Sequence, residues 1–144
     1  MTLFIRSYQV AWGDLDANRH MANSAYVDYG TQTRFAYLAS VGLGPDKMID
    51  AGRGVVLFEE RVQYRSELRF LDEFTVDVRL GGLSASGSRF EMVSRMIKAD
   101  GTLAAIDTIH AGWFDLATRR VRGPDAETRA AIDGLERTEE FRTL

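Results

Sequence analysis

Apolar and polar positions alternate from residue 3 to residue 12, with Leu3 and Ile5 set against Arg6, Ser7 and Gln9. This two-residue period predicts a half-buried strand. At Asn23 the period changes. Tyr26, Tyr29, Thr33, Tyr37 and Ser40 or Val41 recur every three or four residues, and Phe35, Ala36 and Leu38 widen the stripe, so one long helix is expected over residues 23–41. Asn23 or Ser24 suits its N-cap, Asp28 favours its positive end, and Gly42 fits the left-handed residue just past its end. Gly30 sits in the middle of this helix at a cost of about 1 kcal/mol relative to alanine. Such a glycine predicts a sheet that approaches the helix closely.

Four strand-like runs follow, at about 54–64, 67–80, 88–99 and 102–116, and all read as antiparallel. Asp100-Gly101 between the last two predicts a two-residue hairpin turn with positive φ at both positions. The glycine- and serine-rich stretch 81–87 reads as a loop. A short extension over 119–121 leads to Gly123-Pro124-Asp125, which suits a closing turn and a helix with proline at its first position, stopped by Gly134. The final ten residues are polar enough to fray. One helix followed by a run of strands is an α+β pattern, an antiparallel sheet with a helix on one face. There is no internal repeat and no linker, and 144 residues suit a single domain over 1–144.

Composition removes several possibilities. An apolar fraction of 45% and a charged fraction of 27% argue against disorder and low-complexity function. A formal net charge of -3, with no dense basic stripe, argues against nucleic acid as a partner. The chain has no cysteine, so disulfides, thiolate nucleophiles and cysteine-based metal sites are out of play. The amino terminus lacks the pattern of a signal peptide, and no run approaches the roughly 20 apolar residues of a membrane helix, so a soluble, cytoplasmic protein without a membrane partner is expected.

The densest chemistry lies between strand and helix, where Asp14, Asp16 and His20 precede Asn23, Ser24 and Tyr26. A carboxylate and an imidazole beside the amino end of a helix can activate water and hold a developing negative charge. Read alone, acids in a turn before a helix more often satisfy local backbone donors, and a lone loop histidine is more often a surface residue. Asp14 by itself still reads as a brace for the loop, and what reverses the preference for the set is the full constellation. It resembles D-x-D-x-x-G-H-V-N-N-x-x-Y followed by a helix arginine, the opening of hotdog-fold acyl-CoA thioesterases of the 4-hydroxybenzoyl-CoA thioesterase type. Asp14 and Asp16 match the acidic pair, His20 and Asn23 the ends of the H-V-N-N block, and Tyr26 and Arg34 fall at the expected offsets. Arg19 replaces a glycine, Ala22 replaces the first asparagine, and Thr31 stands where many relatives carry a helix glutamate. A mechanism that draws a second carboxylate from the helix is therefore not expected.

The resemblance implies a hotdog fold, with a five- to six-stranded antiparallel sheet wrapped around one long central helix. It implies pairing of two sheets edge to edge, in a homodimer or homotetramer whose active sites are shared. Asp16 takes the part of the essential carboxylate, as general base or as nucleophile, and the polarising backbone amide falls on Asn23. His20 is a candidate for orienting water, for a hydrogen bond to Asp16 or for contact with the leaving thiol. Ser24 and Tyr26 are candidates for binding substrate. The implied substrate is an acyl-CoA, with coenzyme A present only as part of it, and neither a cofactor nor a metal is expected. Two rivals remain: a hotdog enoyl-CoA hydratase or dehydratase, against which the acid-to-histidine spacing counts, and a non-catalytic acyl-CoA binding module.

Elsewhere the plain readings are preferred. His110, three residues after Asp107, reads as a satisfied sheet histidine. Tyr26, Tyr29 and Tyr37 read as core first and acyl-pocket lining second. Arg34 reads as an ion-pair or helix-surface residue. Arg53, Arg61, Arg65, Arg89 and Arg95 could form a rim for the phosphates of coenzyme A, but make no motif.

Overall fold

The computed structural model describes residues 1–144. Its order is β1 (Phe4–Gln9), a single 3-10 turn (Trp12–Asp14), α1 (Asn23–Ser40), α2 (Pro45–Asp50), β2 (Arg53–Tyr64), β3 (Glu73–Leu83), β4 (Arg89–Lys98), β5 (Leu103–Asp115), β6 (Arg120–Val121), α3 (Ala126–Asp133) and β7 (Arg137–Thr143). The strands form one sheet in the order β1-β3-β4-β5-β2, with β6 beside β5 and β7 beside β3. The three long pairs β2–β5, β3–β4 and β4–β5 are antiparallel, as the alternating sequence predicts. Helix α1 lies across one face of this curled sheet, in the hotdog arrangement.

Alternation sets which face is covered. In β4 the buried positions are Phe90, Met92, Ser94 and Met96, and in β5 they include Ala105, Asp107, Ile109, Ala111 and Trp113. Two apolar clusters result. One gathers Tyr37, Leu38, Phe90, Met92, Ile109 and Trp113 near the end of α1, and the other gathers Ala25, Tyr26, Phe74, Met96 and Ala105 near its start. Between them on each element sits a polar row, made of Thr33 and Arg34 on α1, Ser94 on β4 and Asp107 on β5.

Gly30 lies over this row. A Cβ built on it would stand 2.2 Å from Asp107 Oδ2, so the close approach expected from the sequence is real. Arg34 is buried there, with Nη1 donating to Asp107 Oδ2 at 2.8 Å and Nη2 to Thr31 Oγ1 at 3.1 Å and Glu60 Oε1 at 3.3 Å. Its guanidinium thus serves an ion pair inside the fold. Phe35 and Val41, read as part of the apolar stripe, are exposed.

Several expectations are corrected. The N-cap of α1 is Ala22, which has no side-chain cap, and neither Asn23 nor Ser24 fills that place. A six-residue helix, α2, follows α1, with Pro45 at its start. Strand β3 begins at Glu73 because Asp72 closes a turn, its Oδ2 accepting from the Arg69 N–H at 2.9 Å. It then runs through Gly81 and Gly82, where a Cβ would meet Glu91 Oε1 at 2.7 Å and Leu144 Cδ2 at 2.7 Å. These glycines permit crowding within a bulged strand, and the loop is confined to 84–88. In the β4–β5 hairpin only Gly101 has positive φ, at 87°, and its N–H donates to Lys98 O at 2.9 Å. The turn is therefore a three-residue loop with one left-handed glycine. Helix α3 starts at Ala126, capped by Asp125 Oδ1, which accepts from Thr128 N–H at 2.8 Å, so Pro124 stays outside it. The final residues do not fray. They form β7, parallel to β3, which with β6 brings the sheet to seven strands.

Candidate active site

Residues 15–21 fold back on themselves. The Asp16 N–H donates to His20 O at 2.9 Å and the Arg19 N–H to Asp16 O at 3.1 Å. Arg19 occupies the left-handed region at φ 65°, a conformation that glycine adopts freely and that accounts for the glycine usual at this position. The loop is braced from below by Asp14, whose Oδ2 accepts from the Tyr29 hydroxyl at 2.5 Å and the Ala11 N–H at 2.9 Å. Burial, followed by this bond to Asp14, pushes the Tyr29 phenol well above its usual range. The loop is also stitched to the turn between β2 and β3, where the Met21 N–H donates to Leu68 O at 2.7 Å.

Asp16 is exposed. Its Oδ1 accepts from the backbone N–H of Asn18 at 2.8 Å and of His20 at 3.3 Å, while Oδ2 accepts from no group of the protein. It opens on a cleft of about 630 Å³ walled by Trp12, Leu15, Arg19, Arg69 and Phe70, in which the Trp12 and Phe70 rings meet edge to face at 5.5 Å. On the other side of the loop, His20, Asn23 and Tyr26 line a second, open cavity of about 350 Å³, walled by Tyr64, Arg65, Ser66 and Glu67. The structure thus gathers His20, Asn23 and Tyr26 in one cavity, sets Asp16 in the adjoining cleft and leaves Ser24 exposed at the helix end.

Because the Ala22 side chain is a bare methyl group, no side-chain oxygen caps the amino end of α1. The N–H groups of Asn23 and Ser24 have no partner within the protein, and they stand at the positive end of an 18-residue helix. Tyr26 is buried against Tyr64, with ring centroids 5.2 Å apart. Burial raises its phenol pKa, and the charge of Asp16 adds a smaller push in the same direction.

The imidazole of His20 is turned toward a residue that sequence reasoning did not single out. His20 Nε2 lies 2.6 Å from Glu67 Oε2, and Arg69 Nη2 lies 2.8 Å from Glu67 Oε1. The bond from Arg69 is the main reason the Glu67 carboxyl titrates below the ordinary range, with His20 contributing. Glu67 falls in a run that reads as strand, and only the turn at Asp72 swings it into the cavity. Tyr64 reaches the same place as the end of β2, and Arg65 and Ser66 as the residues that follow it.

His110 is far from this site in the sheet and pairs with Glu91, Nε2 to Oε2 at 2.9 Å, as a satisfied sheet histidine should. No three His, Asp or Glu side chains converge as ligands for a metal ion. No helix is long and apolar enough to cross a membrane.

An uncapped helix start lines one cavity, and across the loop a carboxylate keeps one free oxygen; the first can hold a developing negative charge and the second can take a proton. Residues 10–132 match the model of the thioesterase-like superfamily, and the chain belongs to that family. Sequence and fold together define a thioesterase-like protein built on the hotdog fold. A putative esterase of Aquifex aeolicus is 31% identical over 107 residues, covering 74% of this chain and 82% of that protein. An acyl-acyl carrier protein thioesterase of Arabidopsis thaliana chloroplasts is 28% identical over 125 residues, or 86% of this chain; the match spans only 62% of the Arabidopsis protein. Among solved structures, a Staphylococcus aureus protein determined in complex with CoA superposes with a TM-score of 0.86 at 24% identity, covering 95% of this chain and 87% of that one.

Proposed function

We propose that this protein hydrolyses an acyl-CoA to a carboxylic acid and free thiol, without metal or redox cofactor, in the cytoplasm. One observation carries this reading: the unpartnered N–H groups at the start of α1 lie one short loop from a carboxylate whose Oδ2 is free. Asp16 acts as base or nucleophile. As base, it takes a proton from water while the water oxygen bonds to the thioester carbon. The carbonyl oxygen becomes an oxyanion held by the N–H of Asn23, with Ser24 adjacent. Collapse breaks the carbon–sulfur bond, and the proton returns from Asp16 to the departing thiolate. As nucleophile, an Asp16 oxygen bonds to the thioester carbon and the carbon–sulfur bond breaks to release the thiolate; water then opens the mixed anhydride to the carboxylic acid, and the proton this frees goes to the thiolate as the Asp16 carboxylate is restored. Tyr26 and Ser24 border the bound thioester, and His20 orients the water or meets the thiol. Support for CoA as the thiol comes from the CoA-bound protein of the same fold, and support for thioester chemistry comes from the family.

The active form is a homodimer or homotetramer. β2 ends the sheet order, and its Leu57, Phe58 and Tyr64 are exposed, which suits edge-to-edge pairing with a second copy.

The test is thiol release across short, long and aromatic acyl-CoAs, in wild type and Asp16→Asn. A loss of about 10²–10⁴-fold in the variant is expected. No release by the wild type, or full release by the variant, defeats the reading, and loss of crotonyl-CoA absorbance without thiol would point to a hydratase.

A further inference from the structure

The helix offers no second carboxylate, since Thr31 stands at the relevant position and its hydroxyl accepts from Arg34. The cavity nevertheless contains one. Glu67 reaches it from the β2–β3 turn, with one oxygen 2.6 Å from His20 Nε2 and the other held by Arg69 at 2.8 Å. The turn that carries it is fixed to the His20 loop by the Met21 N–H to Leu68 O bond and by a backbone bridge between His20 and Arg69. Asp16 does not compete for the ring, because its carboxylate meets His20 only at the backbone N–H. His20 Nδ1 has no partner in the protein. An acceptor at one ring nitrogen decides which nitrogen carries the proton and which keeps its lone pair.

We propose that Glu67 is a positioning residue of this site: it fixes His20 with the proton on Nε2 and leaves the Nδ1 lone pair for a water or thiol in the cavity. The inference rests on the thioesterase reading for its catalytic meaning, but not for its geometry. In that reading the Nδ1 lone pair of His20 orients the water that Asp16 deprotonates or meets the thiol, while Glu67 holds the ring in place through Nε2–H, as the acid of a catalytic triad orients its histidine. Arg69 holds the other oxygen of Glu67 at 2.8 Å, so the carboxylate is a fixed acceptor.

Two measurements test this together. Nitrogen-15 spectra of the two histidines, above the pH at which the imidazoles are charged, report which ring nitrogen is protonated. His20 in the wild type should be the Nε2–H tautomer, should stay so in Glu67→Gln, whose amide oxygen still accepts, and should become a mixture in Glu67→Ala. In steady-state kinetics on the best acyl-CoA, Glu67→Ala should lower kcat about tenfold or more with a much smaller change in KM, and Glu67→Gln should recover most of the loss. An Nδ1–H tautomer in the wild type overturns the proposal even if Glu67→Ala does not fold. Unchanged tautomer and kcat in Glu67→Ala overturn it equally. If the wild type releases thiol from no acyl-CoA, the proposed function fails, while the spectra still decide whether Glu67 positions His20.

Discussion

At residue 30 there is no room for a side chain, because Asp107 Oδ2 already lies where a Cβ would have to go. Gly30→Ala should therefore lower stability by about 1–3 kcal/mol despite alanine's better helix propensity, a loss visible in urea melts. Asp107 raises a second issue at this scale. Burial, opposed by Arg34 and reinforced by Glu60, pushes its carboxyl up to about 6. The unfolded chain releases that proton near pH 4. Between these values the folded state holds the extra proton, so this group's contribution to stability falls as pH rises through that window and is constant above it. Asp107→Asn has no such proton to lose. Relative to wild type it should gain on the order of 1–3 kcal/mol between about pH 4 and pH 7, measured as paired urea unfolding curves. A flat difference across that range would show Asp107 to be charged throughout. Gly30 was legible in the sequence because a helix interior disfavours glycine. The Arg34–Asp107 pair was not, because the two residues are 73 positions apart and nothing local joins them.

Elements were legible where their own periodicity set them, as in α1, β2, β4 and β5. They were misread where a neighbour decided. Gly81 and Gly82 look like a loop, yet they are strand because Glu91, Val93 and Leu144 close over them. The polar β7 looks like a fraying end, yet Phe141 packs on the core cluster and Arg142 Nη2 reaches Glu91 Oε2 at 2.9 Å. Removing residues 137–144 should thus destabilise the fold strongly, and Phe141→Ala alone should cost about 2–4 kcal/mol in chemical denaturation, the range for a partly buried aromatic. At α3, Asp125→Ala should cost about 1 kcal/mol through loss of its bond from Thr128 N–H. The same contrast holds at the candidate site. The Asp16–Tyr26 stretch announced itself through spacing, whereas the Ala22 cap and the arrival of Glu67 depended on how the next turn folded.

For the whole molecule, the edge of β2 is the feature to probe. Twelve residues long and paired only with β5, it offers free backbone groups and exposed apolar side chains to a second copy. Sedimentation should give a dimer or a tetramer, and Leu57→Glu should shift it toward monomer. A monomeric wild type would remove the shared-site reading. The two apolar clusters are separated by the polar row under Gly30, where Asp107, Thr31 and Glu60 hold the Arg34 guanidinium inside the fold.

Strand β2 ends at Tyr64, and the next three residues become a wall of the cavity that holds His20. One uninterrupted stretch of backbone therefore joins the outer rim of the sheet to the carboxylate against which His20 rests. Turnover per chain should accordingly depend on protein concentration, dropping on dilution and returning when the sample is concentrated again.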